Sequence, residues 1–410
     1  MITGSEPTAC RSCGYTNLEN VLSLGCTPLA NALLTEKELG KPEAIYPLEL
    51  VFCSECSLVQ ITETVSPEKL FREYVYFSSF SETMLRHAEN SAAELVTERS
   101  LGTESLVVEI ASNDGYLLQF YRRAGVPVLG IEPATNIAAV AEQRGIPTIC
   151  DFFNDDLASR LLEDGHRADV IHANNVLAHV PDLNGFVRGL RRVLKPDGLV
   201  VIEVPYVKDM IDRCEFDTVY HEHLCYFSLT ALNALFARNG LTIQKVERLA
   251  IHGGTLRIYA GRDTEPHESV TRLLSDEKAW GVNDIAFYSG FGARVEQLRN
   301  ELVTLLRKLK TQDQRIAVYG ASAKGSTLLN YCRLGAETLD YVVDRSTVKQ
   351  GLYTPGTRLK IYAPEKLLED APDYVLLLTW NFASEILEQQ AEYRKRGGRF
   401  IVPVPAVRVV

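Results

Sequence analysis

The sequence predicts an α/β protein in three parts: a small β-rich module held by four cysteines, a doubly wound α/β unit, and a second, Rossmann-like α/β unit. Three observations predict it. Two C-x2-C pairs lie early in the chain, at Cys10/Cys13 and Cys53/Cys56. Strand, loop and helix patterns alternate from residue 106 to residue 203, and a second such series runs from 315 to 402. A length of 410 residues suits two or three domains, with boundaries expected at 1–70, 71–262 and 263–410.

Composition narrows the function classes. A net charge of -10 argues against general binding of nucleic-acid backbones, which needs a basic surface. It leaves room for a small anion held by a few basic residues or by backbone amides. No run of 18 apolar residues occurs, so no transmembrane helix is expected. The first residues lack the basic and apolar regions of a signal peptide, which points to a cytoplasmic location. Neither nucleic acid nor membrane is an expected partner. Oligomeric state is not legible, and a monomer is compatible with the sequence.

The metal module comes first. Thiolates two residues apart on a tight turn reach one ion, and Cys10, Cys13, Cys53 and Cys56 together complete a tetrahedral sulfur site that suits Zn2+. Four protein ligands leave no open position, so such a zinc is structural. Redox use of one pair is the alternative. Residues 48–52 lead into the second pair as a strand and residues 58–61 lead out of it. The aromatic, hydroxyl-rich stretch 71–81 follows, and Ser81 is placed to cap a helix over 82–96. Tyr76, Ser78 and Ser79 there are candidate ligand-wall residues; a linker packed by its aromatics is the plainer alternative.

In the central unit, residues 106–110 form a buried-strand pattern running into Ala111-Ser112-Asn113-Asp114-Gly115. A second strand ends at Glu132, a third unit at Asp151-Phe152-Phe153, and a fourth passes through Asn174. A helix over 183–194 and a Lys195-Pro196-Asp197-Gly198 turn lead to the fifth strand, 199–203. Ligands of such sheets sit at the carboxyl ends of the strands. Glu109, Ala111, Asn113, Gly115, Glu132, Asp151, Phe152 and Asn174 are therefore the candidate cofactor contacts. A carboxylate at Glu132 can accept both ribose hydroxyls, and Asp151 can meet an adenine amino group; helix capping is the alternative for both.

The ordered acids at three strand ends resemble class I S-adenosylmethionine-dependent methyltransferases. Their E-x-G-x-G-x-G loop here runs from Glu109 to Gly115 and keeps only its last glycine. The absence of G-x-G-x-x-G and of a Walker lysine disfavours NAD or ATP at this sheet.

Beyond the fifth strand, Tyr220-His221-Glu222-His223 puts a phenol, two imidazoles and a carboxylate side by side on the cofactor side. Histidine takes and returns protons near neutrality. His179, beyond the fourth strand, faces the same mouth. Incidental loop or core histidines are the competing account. His252-Gly253-Gly254 lets backbone approach a ligand closely, or forms a hairpin turn.

The C-terminal unit opens with a strand over 315–319 and the turn Gly320-Ala321-Ser322-Ala323-Lys324-Gly325-Ser326. Glycine, serines and a lysine at a helix start are an anion-binding composition, so a pyrophosphate near Lys324 is expected. A nicotinamide dinucleotide site and a structural turn are the alternatives. Asn381 lies past a later strand end and faces the same ligand.

The paired C-x2-C units, Glu109-Ile110-x-x-Asn113-Asp114-Gly115, Asp151-Phe152-Phe153, Tyr220-x-Glu222-His223, His252-Gly253-Gly254 and Gly320-Ala321-x-Ala323-Lys324 jointly resemble the sugar C-methyltransferases of deoxysugar biosynthesis. The pattern is similar to that of the tetronitrose-pathway C-3′-methyltransferase and the mycarose-type enzymes. The resemblance spans nearly the whole chain and departs at Ala111, where glycine is usual, and at His221, where an acidic residue can sit. It implies a zinc module, a domain that binds S-adenosylmethionine, and a C-terminal domain that helps hold a sugar nucleotide without NAD. It further implies that His223 removes the C-3 proton of a nucleotide-linked 4-keto-deoxysugar, whose enolate attacks the methyl carbon. Tyr220 would contact the sugar or its enolate oxygen, and Glu222 and His179 would support the base. Competing functions are methylation of another substrate class (C-5 of a sugar, RNA or protein), non-catalytic nucleotide binding, and a two-domain oxidoreductase.

Overall fold

The computed structural model describes residues 9–73, 77–262 and 265–410, apart from the side chain of His252. Strands β1 (Glu19–Pro28), β2 (Ile45–Phe52) and β3 (Val59–Ile61) open the fold. Then come β4 (Val107–Ile110), β5 (Val128–Ile131), β6 (Thr148–Ile149), β7 (Ala168–Asn174) and β8 (Leu194–Pro205). After β9 (Cys225–Tyr226) follow β10 (Thr242–Leu249) and β11 (Thr255–Gly261). The C-terminal part holds β12 (Ile316–Tyr319), β13 (Val342–Val343), β14 (Ile361–Tyr362), β15 (Tyr374–Leu377), β16 (Arg399–Val402) and β17 (Arg408–Val409).

The first sheet is antiparallel with the order β1-β2-β3-β9. Its last strand comes from far along the chain: Val59 pairs with Tyr226 and Gln60 with Cys225. The cysteine module thus grips the chain two residues after His223.

The central sheet has the order β10-β11-β8-β7-β4-β5-β6. β4 through β8 run parallel, while β11 runs antiparallel to both β8 and β10. Every residue of β4 and β5 is buried, as parallel strands covered on both faces must be. The order reverses between β4 and β7, so a ligand crevice opens at their carboxyl ends. The expected turn at 195–198 is instead a bulge within β8, between the pairs Ala168↔Leu194 and Val170↔Leu199. Pro196 cannot donate to a ladder, and it and Asp197 are pushed out to solvent.

The C-terminal sheet has the order β14-β13-β12-β15-β16-β17, parallel except for β17. β14 and β17 escape sequence reading because two residues carry no period. The charged stretch before this sheet forms helices Glu268–Trp280, Ile285–Tyr288 and Phe291–Lys310. The last buries Phe291, Val295, Leu298, Leu302, Leu306 and Leu309 along one face, against β1 and helix Ala323–Cys332. Leu50, Ile110 and Val318, one from each sheet, belong to a single continuous core.

Candidate active site

The carboxyl ends of the two parallel sheets share one cavity of about 980 Å³. The segment ending in Tyr220-His221-Glu222-His223 is clamped beside it by both flanking parts. From the C-terminal part, Trp380 Nε1 donates to Asp217 Oδ2 at 2.7 Å and Thr327 Oγ1 donates to the Val219 carbonyl at 3.1 Å. From the N-terminal part, Ile61 N–H donates to the Leu224 carbonyl at 2.9 Å, and Asn31 Nδ2 donates to both Glu222 oxygens at 2.8 and 2.9 Å.

These clamps fix the chemistry of His223. Its Nδ1 lies 3.1 Å from the Thr218 carbonyl, which can only accept, so Nδ1 carries the proton. Nε2 then holds a lone pair and receives the Tyr220 hydroxyl at 2.8 Å. Burial, with His179 and Lys324 nearby, holds its pKa well below the usual histidine range, so the ring is neutral at pH 7. The His179 ring stands 4.8 Å away, centroid to centroid, and its Nδ1 donates to the Glu222 carbonyl at 2.6 Å. Burial pushes the His179 pKa down to about 4.

Tyr220, His223 and His179 line the cavity together. Glu222 differs from the expected support: its carboxyl meets Asn31 rather than either imidazole, and only its backbone carbonyl orients His179. Burial raises that carboxyl to about 7. His221 points the other way, donating from Nε2 to the Pro47 carbonyl at 3.0 Å.

On the opposite wall, Ala111, Asn113 and Gly115 have φ of 51°, 50° and 78°. The backbone is left-handed at each position where the related loop carries glycine, even though two of the three residues bear a Cβ. Asn113 N–H donates to Glu132 Oε2 at 2.9 Å and Ala134 N–H to Oε1 at 2.8 Å. Burial brings Glu132 up to about 7. Asn113 Oδ1 accepts the Ser78 N–H at 2.9 Å. Asp151 pairs with Arg160 at 2.6 Å, and Arg72 lies over the Phe152 ring at 4.7 Å. Asn174 Oδ1 is buried with no partner among the described residues. A left-handed loop, an acid beside it and an orphaned acceptor fit the nucleoside part of S-adenosylmethionine.

Several sequence candidates stand elsewhere. Glu109 shares the strand face of Val107 by the two-residue period, and its buried carboxyl packs toward Tyr116 off the cavity wall. Gly115 forms the turn, where a Cβ would meet Ile146 at 2.7 Å. Ser79 donates to Asp114 Oδ2 at 2.5 Å. Gly253 lets Glu215 approach, where a Cβ would lie 2.4 Å from Glu215 Oε2. Tyr76 and the His252 side chain fall outside the described residues.

On the C-terminal wall, Gly320, Lys324 and Asn381 do face the cavity, with Lys324 Nζ 4.6 Å from the Trp380 ring centroid. Sequence reading does not single out Asn31 and Asp344, which line the cavity, or Asp217, which anchors the histidine segment through Trp380. Asn31 carries no motif. Asp344 ends a strand just as Glu132 does, and that signal was available.

The four cysteine sulfurs lie within 4.8 Å of one another, with Cys10–Cys56 and Cys13–Cys53 at 3.5 Å. Bonds of about 2.3 Å in a tetrahedron need sulfurs roughly 3.8 Å apart, so the set fits a closed, structural zinc.

Family models match along the chain: a "Putative zinc binding domain" over 10–71, a methyltransferase domain over 84–246 and a C-methyltransferase C-terminal domain over 250–405. C-methyltransferase NovU of Streptomyces niveus is 36% identical over 404 residues, covering 98% of this chain and 96% of its own. A ubiquinone biosynthesis O-methyltransferase of Methylobacterium nodulans is 36% identical over 106 residues, 25% of this chain and 41% of that one. The solved magnesium protoporphyrin IX methyltransferase (ChlM) of Synechocystis PCC 6803 aligns over 44% of this chain and 79% of its own, at 14% identity and a TM-score of 0.34. Among the described residues no helix is long and apolar enough to cross a membrane. With an end-to-end relative and matching models for all three parts, the chain belongs to the S-adenosylmethionine-dependent C-methyltransferases that carry an N-terminal zinc-binding module.

Proposed function

We propose that this C-methyltransferase acts on C-3 of a nucleotide-linked 4-keto-deoxysugar, with His223 as the base. The observation that carries this is the shared cavity: a cofactor loop on one wall, a glycine turn with Lys324 on the other, and Tyr220 and His223 between them. S-Adenosylmethionine, when bound, supplies a methyl carbon attached to a positively charged sulfur. Ala111, Asn113, Glu132, Asp151, Phe152 and Asn174 would hold it. Lys324 and the start of helix Ala323–Cys332 suit a pyrophosphate.

The chain's own groups account for the proton step. The Tyr220 hydroxyl leaves Nε2 as the sugar enters. The C-3 proton passes to Nε2, the C–H electron pair forms the C-3 to C-4 double bond, and the carbonyl pair moves onto the C-4 oxygen. Tyr220 donates to that oxygen, which places a hydrogen bond where charge develops. A division into parts at 1–70, 71–262 and 263–410 and a cytoplasmic setting belong to the same proposal.

The test is a panel of nucleotide 4-keto sugars incubated with isotopically labelled methyl donor, read by mass and by the position of the new methyl. One methyl on C-3 is the expected result. Label on no sugar, or on another carbon, overturns the assignment. Deuterium exchange at C-3 in heavy water without methyl donor examines the proton step alone.

A further inference from the structure

Glu132 has a counterpart across the cavity. In the central sheet it follows β5, the strand beside β4; in the C-terminal sheet Asp344 follows β13, the strand beside β12. Glu132 receives one N–H from the loop after β4 and another from two residues further on. Asp344 is held the same way: Ala321 N–H, from the turn after β12, reaches Oδ2 at 2.7 Å, and Ser346 N–H reaches Oδ1 at 2.8 Å. Both acids line the one cavity.

The shared geometry has a chemical meaning. Each carboxylate oxygen offers two acceptor positions, and a single N–H leaves one open on each. An acid at this strand end beside a glycine turn matches pentose hydroxyls, with phosphate at the neighbouring helix start. Gly320 has a φ of 100°, and a Cβ there would strike Thr379 Cγ2 at 2.6 Å. The Thr379 hydroxyl oxygen is itself buried without a partner among the described residues. Lys324 stands on the same turn, toward His223.

We infer that Asp344 accepts the pentose hydroxyl of a nucleoside diphosphate whose phosphates lie on the 320–324 turn, making it a specificity-determining residue for the substrate. The inference rests on the nucleotide-sugar proposal and adds to it the residue that receives the pentose hydroxyl.

Calorimetry with uridine and thymidine diphosphates, their 3′-deoxy analogues and inorganic pyrophosphate tests it on the full chain. In the wild type, loss of the 3′-hydroxyl should weaken binding at least tenfold. Asp344→Ala should abolish that difference while leaving pyrophosphate and S-adenosylhomocysteine within twofold. Those two ligands also report that the variant is folded; should it not be, Asp344→Asn, which retains one acceptor, replaces it and should shrink the difference. Glu132→Ala should lose S-adenosylhomocysteine and keep the hydroxyl dependence. A hydroxyl dependence that survives in Asp344→Ala, or is missing from the wild type, overturns the role of Asp344 while the nucleotide proposal stands. Pyrophosphate binding with no nucleoside diphosphate binding to the wild type overturns both.

Discussion

The Tyr220 hydroxyl donates to Nε2 of His223 at 2.8 Å, so the lone pair proposed to take the substrate proton is occupied by a neighbour three residues away. The ring is held in that tautomer by the Thr218 carbonyl on its other nitrogen. His223→Ala should therefore lower kcat by about 10²- to 10⁴-fold, the usual share of a positioned base, with S-adenosylhomocysteine affinity unchanged within twofold. Tyr220→Phe should cost about 10²-fold through the lost oxyanion donor. It should also shift the acid limb of kcat/KM upward, because its hydrogen bond favours the neutral ring. Steady-state kinetics across pH separates the two; an acid limb that moves down in Tyr220→Phe would rule out this arrangement.

Glu222 and His179 predict opposite pH effects on stability. Burial raises Glu222 to about 7, so its favourable contribution is present below its unfolded pKa of about 4.3 and is lost as pH rises toward 7 and beyond. His179 is lowered to about 4, so its contribution is present above about 6.5 and is lost as pH falls through that window. Between about pH 4.3 and 6.5 the two slopes are opposite and largely cancel, so substitution of either residue alone exposes the other's pH dependence. Glu222→Gln should raise the melting temperature more at pH 8 than at pH 5, since each pKa unit is worth about 1.4 kcal/mol. An equal change at both pH values would show that Glu222 does not titrate as described.

Ala111 occupies a left-handed position with φ of 51°. A Cβ there costs about 1–2 kcal/mol, while glycine loses more backbone freedom on folding, about 0.5–1 kcal/mol. Ala111→Gly should thus stabilise the protein by about 0.5–1 kcal/mol in denaturant titration, the difference of these two effects, and leave cofactor affinity no weaker. Destabilisation would mean that the Cβ makes a contact worth more than the strain.

What was legible in the sequence follows from how local each signal is. The cysteine pairs, β4, β5 and the turn after β12 each carry their pattern within a few residues, and each falls where expected. The left-handed loop was legible only in part, because Ala111 and Asn113 hide a glycine-like backbone. Contacts made across the chain were not legible. Asn31 reaches Glu222 over 191 positions, and Trp380 reaches Asp217 over 163. No spacing rule encodes either. For the same reason the resemblance implies that Glu222 assists the proposed base, whereas folding turns its carboxyl toward Asn31 of the zinc module.

The pairing of β3 with β9 ties the zinc module to the segment that carries His223. Cys53 and Cys56 lie between β2 and β3, and β9 begins two residues after His223. The wall proposed to hold the cofactor is built instead on β4, β5 and β7 of another sheet. Structural zinc contributes on the order of 10 kcal/mol in small zinc modules, so its removal should loosen β1–β3 and, through β9, the seat of His223, the proposed base. Chelation, or Cys56→Ser, should release one equivalent of zinc, lower the melting temperature and reduce kcat at least tenfold, while S-adenosylhomocysteine affinity falls less than threefold. Metal analysis, melting curves and calorimetry on the same sample provide the check. Equal losses of turnover and cofactor affinity would point to general unfolding, and full turnover without zinc would disconnect the module from His223.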